Sequence, residues 1–240
     1  MLTKKKKSDQ KTAKAKTKDN LEDALVGLDL FGEDKPQTRK MGLYGALDSE
    51  KGELCSYTLL HLHETRIKNV PRPLTDAQKK KIKKAQEEND LDAHIDLKFD
   101  EVSQPIEFFI CTPGGSAHDM FAVYDVMRMV RKDCDIETIG MGQVMSAGTL
   151  LLASGTKGKR RIGKHCRVMV HQVSAGTQGP HHEMINEIAE IQHTQEQYIK
   201  CLAAETKMTE TYIRKLFEKK VNIYMSAEEA VKNGLADIII

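Results

Sequence analysis

The chain has 240 residues, 40% of them hydrophobic and 30% charged, with a formal net charge of +2. That composition supplies one core of ordinary size with room for tails, and so small a net charge gives no strong pull toward nucleic acid or a membrane surface. No apolar run approaches the length of a membrane span, and the basic opening is followed by no apolar segment of a secretory signal, so the expectation is a soluble cytoplasmic protein that binds neither nucleic acid nor membrane.

Residues 1–19, MLTKKKKSDQKTAKAKTKD, carry almost no apolar side chain and predict a disordered basic tail. An arm that docks on an acidic partner or polyphosphate is the functional alternative. From Asn20 the pattern LEDALVGLDLFG is weakly amphipathic, which suits a short helix or a segment that orders with a partner. Residues 20–240 are expected to form one domain. Within it, KMGLYGALDSEKGELCSYTLLHLHE from Lys40 predicts a short strand, a turn and an amphipathic helix. The charged stretch 65–104 follows, with a polar helix starting at a Thr75 cap. Polar on most faces, that helix predicts a surface excursion.

The apolar strand IEFFIC then runs into Pro113-Gly114-Gly115. Without a Cβ the backbone there can approach a ligand closely, although the same residues also make an ordinary turn. Met120, Val123, Met127 and Val130 recur at helical spacing and predict core packing. Next, the run IETIGMGQVM hands over to SAGTLLLASG at Ser146. A serine at a helix start is often only a cap, but its hydroxyl also lies beside unpaired N–H groups that can stabilise an oxyanion. His171 ends the strand RVMV before the loop QVSAGTQG, where an imidazole would face a cleft. Taken together, Ser146, His171 and the Pro-Gly-Gly turn supply a nucleophile, a general base and a second source of oxyanion donors.

A long helix is predicted from His181 to about Thr206, with Ile185, Ile188, Ile191, Tyr198 and Leu202 as its apolar face. It exceeds what one core usually needs, which points to packing against another subunit. Two shorter helices follow, capped by Thr209 and by Ser226 and the last stopped at Gly234. Short apolar strands alternating with amphipathic helices define a layered α/β fold. Cys55, Cys111, Cys134, Cys166 and Cys201 form no C-x-x-C pair and are expected as free, buried thiols. Neither His61 with His63 nor His181 with His182 has further ligands at metal spacing. GTKGKR at 155–160 lacks the phosphate-loop spacing. No metal, nucleotide or other cofactor is therefore expected.

The blocks ICTPGGS, MGQVMSAGTLLLASGTKGKR, CRVMVHQ and MSAEEAVKNGLAD, in that order and at those intervals, resemble the proteolytic subunit of the Clp protease, the ClpP family. The resemblance covers about residues 104–240, with a weaker match from Lys40 to Glu64, and makes 65–104 a charged insertion. It implies the ββα superhelix shared with the crotonases and a serine endopeptidase acting on unfolded polypeptides inside a chamber. That chamber would be a ring homo-oligomer, a heptamer or stacked double heptamer, fed by an ATP-dependent unfoldase. By the same resemblance Ser146 is the nucleophile and His171 the base, while the family's third residue, an aspartate, is Asn222 in this chain. Gly115 and Ala147 are the expected oxyanion donors, and an extended substrate would lie along Gly114, Gly115, Ser116 and Val173. The departures are Val173 where the family has proline and Ala147 where it has methionine. An α/β-hydrolase is disfavoured because Val144 stands where G-x-S-x-G needs its first glycine. The alternative from another class is a non-catalytic or weakly active ring subunit, which Asn222 favours.

Overall fold

The computed structural model describes residues 38–88, 95–219 and 221–240. The basic tail and the amphipathic segment after Asn20 lie outside the described residues. The first strand, β1 (Lys40–Tyr44), buries alternate residues, and Asp48 then starts α1 (Ser49–Glu64) by accepting a hydrogen bond from the Lys51 N–H at 3.0 Å. Helix α1 buries Cys55, Leu59 and Leu62.

Between this helix and the next core strand stands the charged excursion. Its base is a two-stranded antiparallel ladder, β2 (Ile67–Pro71) and β3 (Phe99–Ser103), in which Ile67 faces Ser103 and Pro71 faces Phe99. Helix α2 (Asp76–Glu88) lies between these strands in sequence. The ladder was not expected from the sequence, because every one of its ten residues is exposed and no alternating burial marks it. Helix α2 is mostly exposed as anticipated, but Ile82 is buried. Arg39 closes the excursion at its root. Its guanidinium donates to the carbonyls of Leu62 at 2.6 Å, Thr65 at 3.2 Å and Pro105 at 3.2 Å.

The remaining elements are β4 (Ile106–Thr112), α3 (Ala117–Val130), β5 (Ile136–Met145), α4 (Ala147–Ala153), β6 (Arg161–Ile162), β7 (Arg167–Val170), α5 (His181–Glu205), α6 (Glu210–Glu218), β8 (Ile223–Met225), α7 (Ala227–Lys232) and β9 (Ile238–Ile239). The result is a mixed α/β fold with a mostly parallel sheet, compatible with the expected superhelix. Strands β1, β4, β5, β6 and β9 run in that order, while β7 pairs with the later half of β5 and, antiparallel, with β8. Strand β5 therefore forks. Ile139 and Gly140 pair with β6, whereas Gln143 to Met145 pair with β7. Parallel pairing brings the C-terminal ends of β4, β5 and β7 to one edge of the sheet, the edge where α/β folds place ligands.

The core lies between this sheet and its helices. Met120, Val123, Met127 and Val130 of α3 are all buried, as their spacing predicted, and all seven residues of α4 are buried. Removing a leucine such as Leu151 from water is worth roughly 1.5–3 kcal/mol. The carbonyls at the end of α4 meet cations: Arg131 donates to those of Ser154 at 2.6 Å and Gly155 at 3.1 Å, and Arg160 to that of Ala153 at 3.0 Å. Charge of that sign suits the negative end of a helix. The last residue of α5, Glu205, is buried among Arg128, Arg131 and Lys157 at 3.2, 3.0 and 3.1 Å. Burial alone would raise its carboxyl, but hydrogen bonds from Arg131 and Lys157 outweigh that and hold it below the ordinary range. The five cysteines are free thiols, with Cys55, Cys134 and Cys166 buried and Cys111 and Cys201 half-buried.

Candidate active site

Ser146 is the residue immediately after β5, and His171 the residue immediately after β7. Met145 and Met169 are partners in the parallel ladder, and the Ser146 N–H donates to the Met169 carbonyl at 2.8 Å. Two adjacent strands thus deliver both side chains to the same edge. The Ser146 Oγ lies 2.7 Å from His171 Nε2. It makes no capping hydrogen bond to α4, so the cap does not account for this serine.

The turn at Ser146 is strained. With φ 54° and ψ −122°, it is the only non-glycine residue of positive φ among the described residues, a conformation that costs about 1–3 kcal/mol and persists only where the surroundings fix it. Gly114 allows the turn to form. At φ +99° it approaches so closely that a Cβ there would fall 2.5 Å from the Ser146 Cβ. Gly115 is equally confined, since a Cβ would meet the Leu47 carbonyl oxygen at 1.9 Å.

The backbone N–H groups of this edge divide into engaged and free. Gly114 donates to Thr112 Oγ1 at 3.0 Å, Ser116 to the Leu47 carbonyl at 2.9 Å, and Val173 to Gln195 Oε1 at 3.2 Å. The Gly114 carbonyl accepts from the Leu47 N–H at 2.8 Å. By contrast, the N–H groups of Gly115 and Ala147 have no acceptor among the described residues. Of the four residues expected to pair with an extended substrate, only Gly115 therefore keeps an uncommitted N–H.

Gly115, Ser116, Ser146, Ala147, His171 and Val173 line one cleft of about 430 Å³, whose far wall is α5. Burial lowers the pKa of His171 below its ordinary 6.5, which favours the neutral imidazole that can accept a proton. One step beyond the pair Val170 and Ile223, the β7–β8 register puts Asn222 opposite His171. The ladder itself stops at the Val170 and Ile223 pair, Asn222 is exposed and the two side chains are not hydrogen-bonded. Nδ1 of His171 has no hydrogen-bond partner among the described residues.

Sequence reasoning missed Tyr198, Thr149 and Gln195. Tyr198 was placed on the apolar face of α5, and it is buried there, but its hydroxyl lies 3.1 Å from the Ser146 carbonyl and 2.7 Å from Thr149 Oγ1. A buried tyrosine needs a partner for its hydroxyl, so the residue type itself was the available signal. No sequence pattern distinguished Gln195.

A hydroxyl hydrogen-bonded to an imidazole, set at a sharp strand-to-helix turn beside free N–H groups, is the arrangement of a serine hydrolase. Comparison with known proteins narrows this class. A family model for the Clp protease matches residues 79–240. The chain is 36% identical over 146 residues to the ATP-dependent Clp protease proteolytic subunit 4 of Rhodococcus jostii (strain RHA1), a match that covers 61% of this chain and 73% of that relative. It is 38% identical over 144 residues to the ATP-dependent Clp protease proteolytic subunit 3 of Frankia casuarinae, covering 60% and 66%. The chain spans about two thirds to three quarters of the length of these relatives, and it belongs to the Clp protease family.

Proposed function

We propose that this protein is a serine endopeptidase that cleaves unfolded polypeptides by acyl transfer. The observation that carries the reading is the 2.7 Å contact between Ser146 Oγ and His171 Nε2 at a strained turn on a cleft. His171 Nε2 takes the Ser146 hydroxyl proton as Oγ bonds to the peptide carbonyl carbon. The resulting oxyanion accepts from the free N–H groups of Gly115 and Ala147. Collapse of the intermediate breaks the C–N bond, and the imidazolium gives its proton to the leaving amine. A water activated by the same imidazole then attacks the acyl-enzyme and restores the Ser146 hydroxyl.

The Gly115 N–H is given to the oxyanion, and those of Gly114, Ser116 and Val173 are engaged within the chain, so none of the four is left to pair with an extended substrate. The assembly proposed is a ring of identical subunits. It is supported by family membership and by the first half of α5, where Ile185 is 53% and Ile188 48% exposed, side chains that another subunit would cover. The relatives' names carry ATP dependence; in this chain it would come from a separate unfoldase.

The test is labelling of purified protein with a fluorophosphonate, read by intact mass. One adduct per chain on the wild type and none on Ser146→Ala is the expected result. A folded wild type that takes up no adduct overturns the reading. A second reading, a weakly active or non-catalytic ring subunit, is favoured by one observation: among the described residues no acceptor holds Nδ1 of His171, and the residue next to the last β7–β8 pair is Asn222, not a carboxylate that could fix the tautomer. That reading predicts the unlabelled result.

A further inference from the structure

We propose that Gln195 and Tyr198, one turn apart on α5, are positioning residues that hold the serine turn and the histidine loop at reacting distance. The inference rests on Ser146 and His171 being the reacting pair. Tyr198 acts on the serine side. The Ser146 carbonyl is approached by the Thr149 N–H at 2.9 Å, Thr149 Oγ1 at 2.6 Å and the Tyr198 hydroxyl at 3.1 Å. Tyr198 and Thr149 are themselves 2.7 Å apart, so two hydroxyl protons serve three contacts and form a small relay closed on one carbonyl. A non-glycine residue at φ 54° stays there only if its neighbours insist, and these donors grip the peptide unit next to the strained bond.

The tyrosine is itself immobilised. Its ring stacks on Phe217 of α6, with centroids 6.1 Å apart and planes within 9°, and it is 4% exposed. Burial pushes its hydroxyl up to about 12, so it remains a donor throughout the working pH range. It touches the serine's carbonyl and not Oγ, which excludes a role in proton transfer.

Gln195 acts on the histidine side. Its Oε1 accepts from the Val173 N–H at 3.2 Å, two residues after His171, at the start of the loop that forms the cleft wall. Residues three apart lie on one face of a helix. A single face of α5 therefore grips the two loops whose separation sets the Ser146–His171 distance, and a shift of that face moves both.

The experiment measures the second-order rate constant of fluorophosphonate labelling at 25 °C, together with kcat and KM on a fluorogenic peptide. Tyr198→Phe keeps the ring and its stack and removes only the hydroxyl. Labelling and kcat are expected to fall about tenfold to a hundredfold, the scale of a misplacement of order 1 Å, with KM within about twofold. Gln195→Ala should lower labelling about tenfold, and Gln195→Glu, which retains an acceptor oxygen, should restore most of it. A tyrosine that only stabilises the fold would lower the melting temperature and leave the labelling rate of the folded protein at the wild-type value; that outcome, or Gln195→Glu as slow as Gln195→Ala, overturns the proposal. If Tyr198→Phe does not fold, the glutamine pair alone decides. Labelling confined to Ser146 in the wild type with no change in the variants rejects the positioning role and leaves the peptidase reading intact. An unlabelled wild type rejects both.

Discussion

Around Ser146 the chain is held from several directions: a ladder hydrogen bond to Met169, three donors on its carbonyl, Gly114 in tight contact and a wholly buried helix behind it. His171, at the end of the neighbouring strand, has its bond to Ser146, no partner on Nδ1 among the described residues, and an exposed asparagine opposite. On the proposed mechanism, nucleophile position and base orientation are thus separate design problems. In this molecule the first is over-determined and the second is left loose at Nδ1, so substitutions on the serine side should subtract from activity, whereas one that gives Nδ1 an acceptor has room to add.

The largest expected effect breaks the tight side. Gly114→Ala introduces a Cβ 2.5 Å from that of Ser146 at a φ that side chains rarely adopt, and it should cut the labelling rate about a hundredfold; a rate near wild type would mean that the turn is less confined than its geometry. Asn222→Asp sharpens the other side. In trypsin-like proteases the reverse change costs roughly ten-thousandfold in turnover, largely through the wrong tautomer. A carboxylate opposite His171 should raise kcat by at least about tenfold, whereas no gain would show that orientation of the base is not limiting.

The pH profile gives a subtler contrast. Because burial lowers the pKa of His171 below 6.5, the neutral imidazole is the majority form at that pH and increasingly so above it. The acid limb of kcat/KM should therefore rise through a midpoint below 6.5 and level off above it. The same depressed value means that stability tied to the neutral imidazole is present above 6.5 and is lost as pH falls. Asn222→Asp should move the midpoint upward by about 1–3 units, and an unmoved midpoint would place the new carboxylate out of reach. The smallest effect is a control at the end of α6 away from Phe217. Thr209 caps α6 by accepting from the Tyr212 N–H, and Thr209→Ala should cost about 1 kcal/mol of stability without changing the labelling rate, as denaturant melts and labelling run side by side would check.

These contrasts also explain what could be read from the sequence. The helices were legible where caps and periodicity are local: α5 was expected from His181 to about Thr206 and runs His181–Glu205, and the last helix carries its Ser226–Glu229 capping box. Ser146 and His171 were legible because each follows an apolar run that ends at a turn. The strain at Ser146 was not, since it arises from contacts with Gly114 and Thr149 and not from the residues beside it. The β2–β3 ladder joins residues separated by a whole helix and buries neither face, so it leaves no hydropathy signal. Glu205 was missed for the opposite reason. A single glutamate at a helix end looks like solvent-facing charge until Arg128, Arg131 and Lys157 converge on it from elsewhere in the chain. Asn222 gained meaning only through the family resemblance, and the β7–β8 register supplies a physical reason to consider it beside His171.

The neck of the charged excursion offers a practical consequence. Its two strands enter and leave side by side, with the Gln104 N–H bonded to the Arg66 carbonyl at 2.8 Å and Arg39 locking both ends to the first strand. It joins β4 at the end opposite Thr112 and the cleft, seven residues or roughly 23 Å of extended chain away. Lys68 and Val102 face each other across that neck, so an Asn-Gly hairpin between them closes the ladder with the reverse turn it favours. The same point is a natural port for splicing in a fluorescent or affinity module, which would join the fold at the end of β4 opposite Thr112.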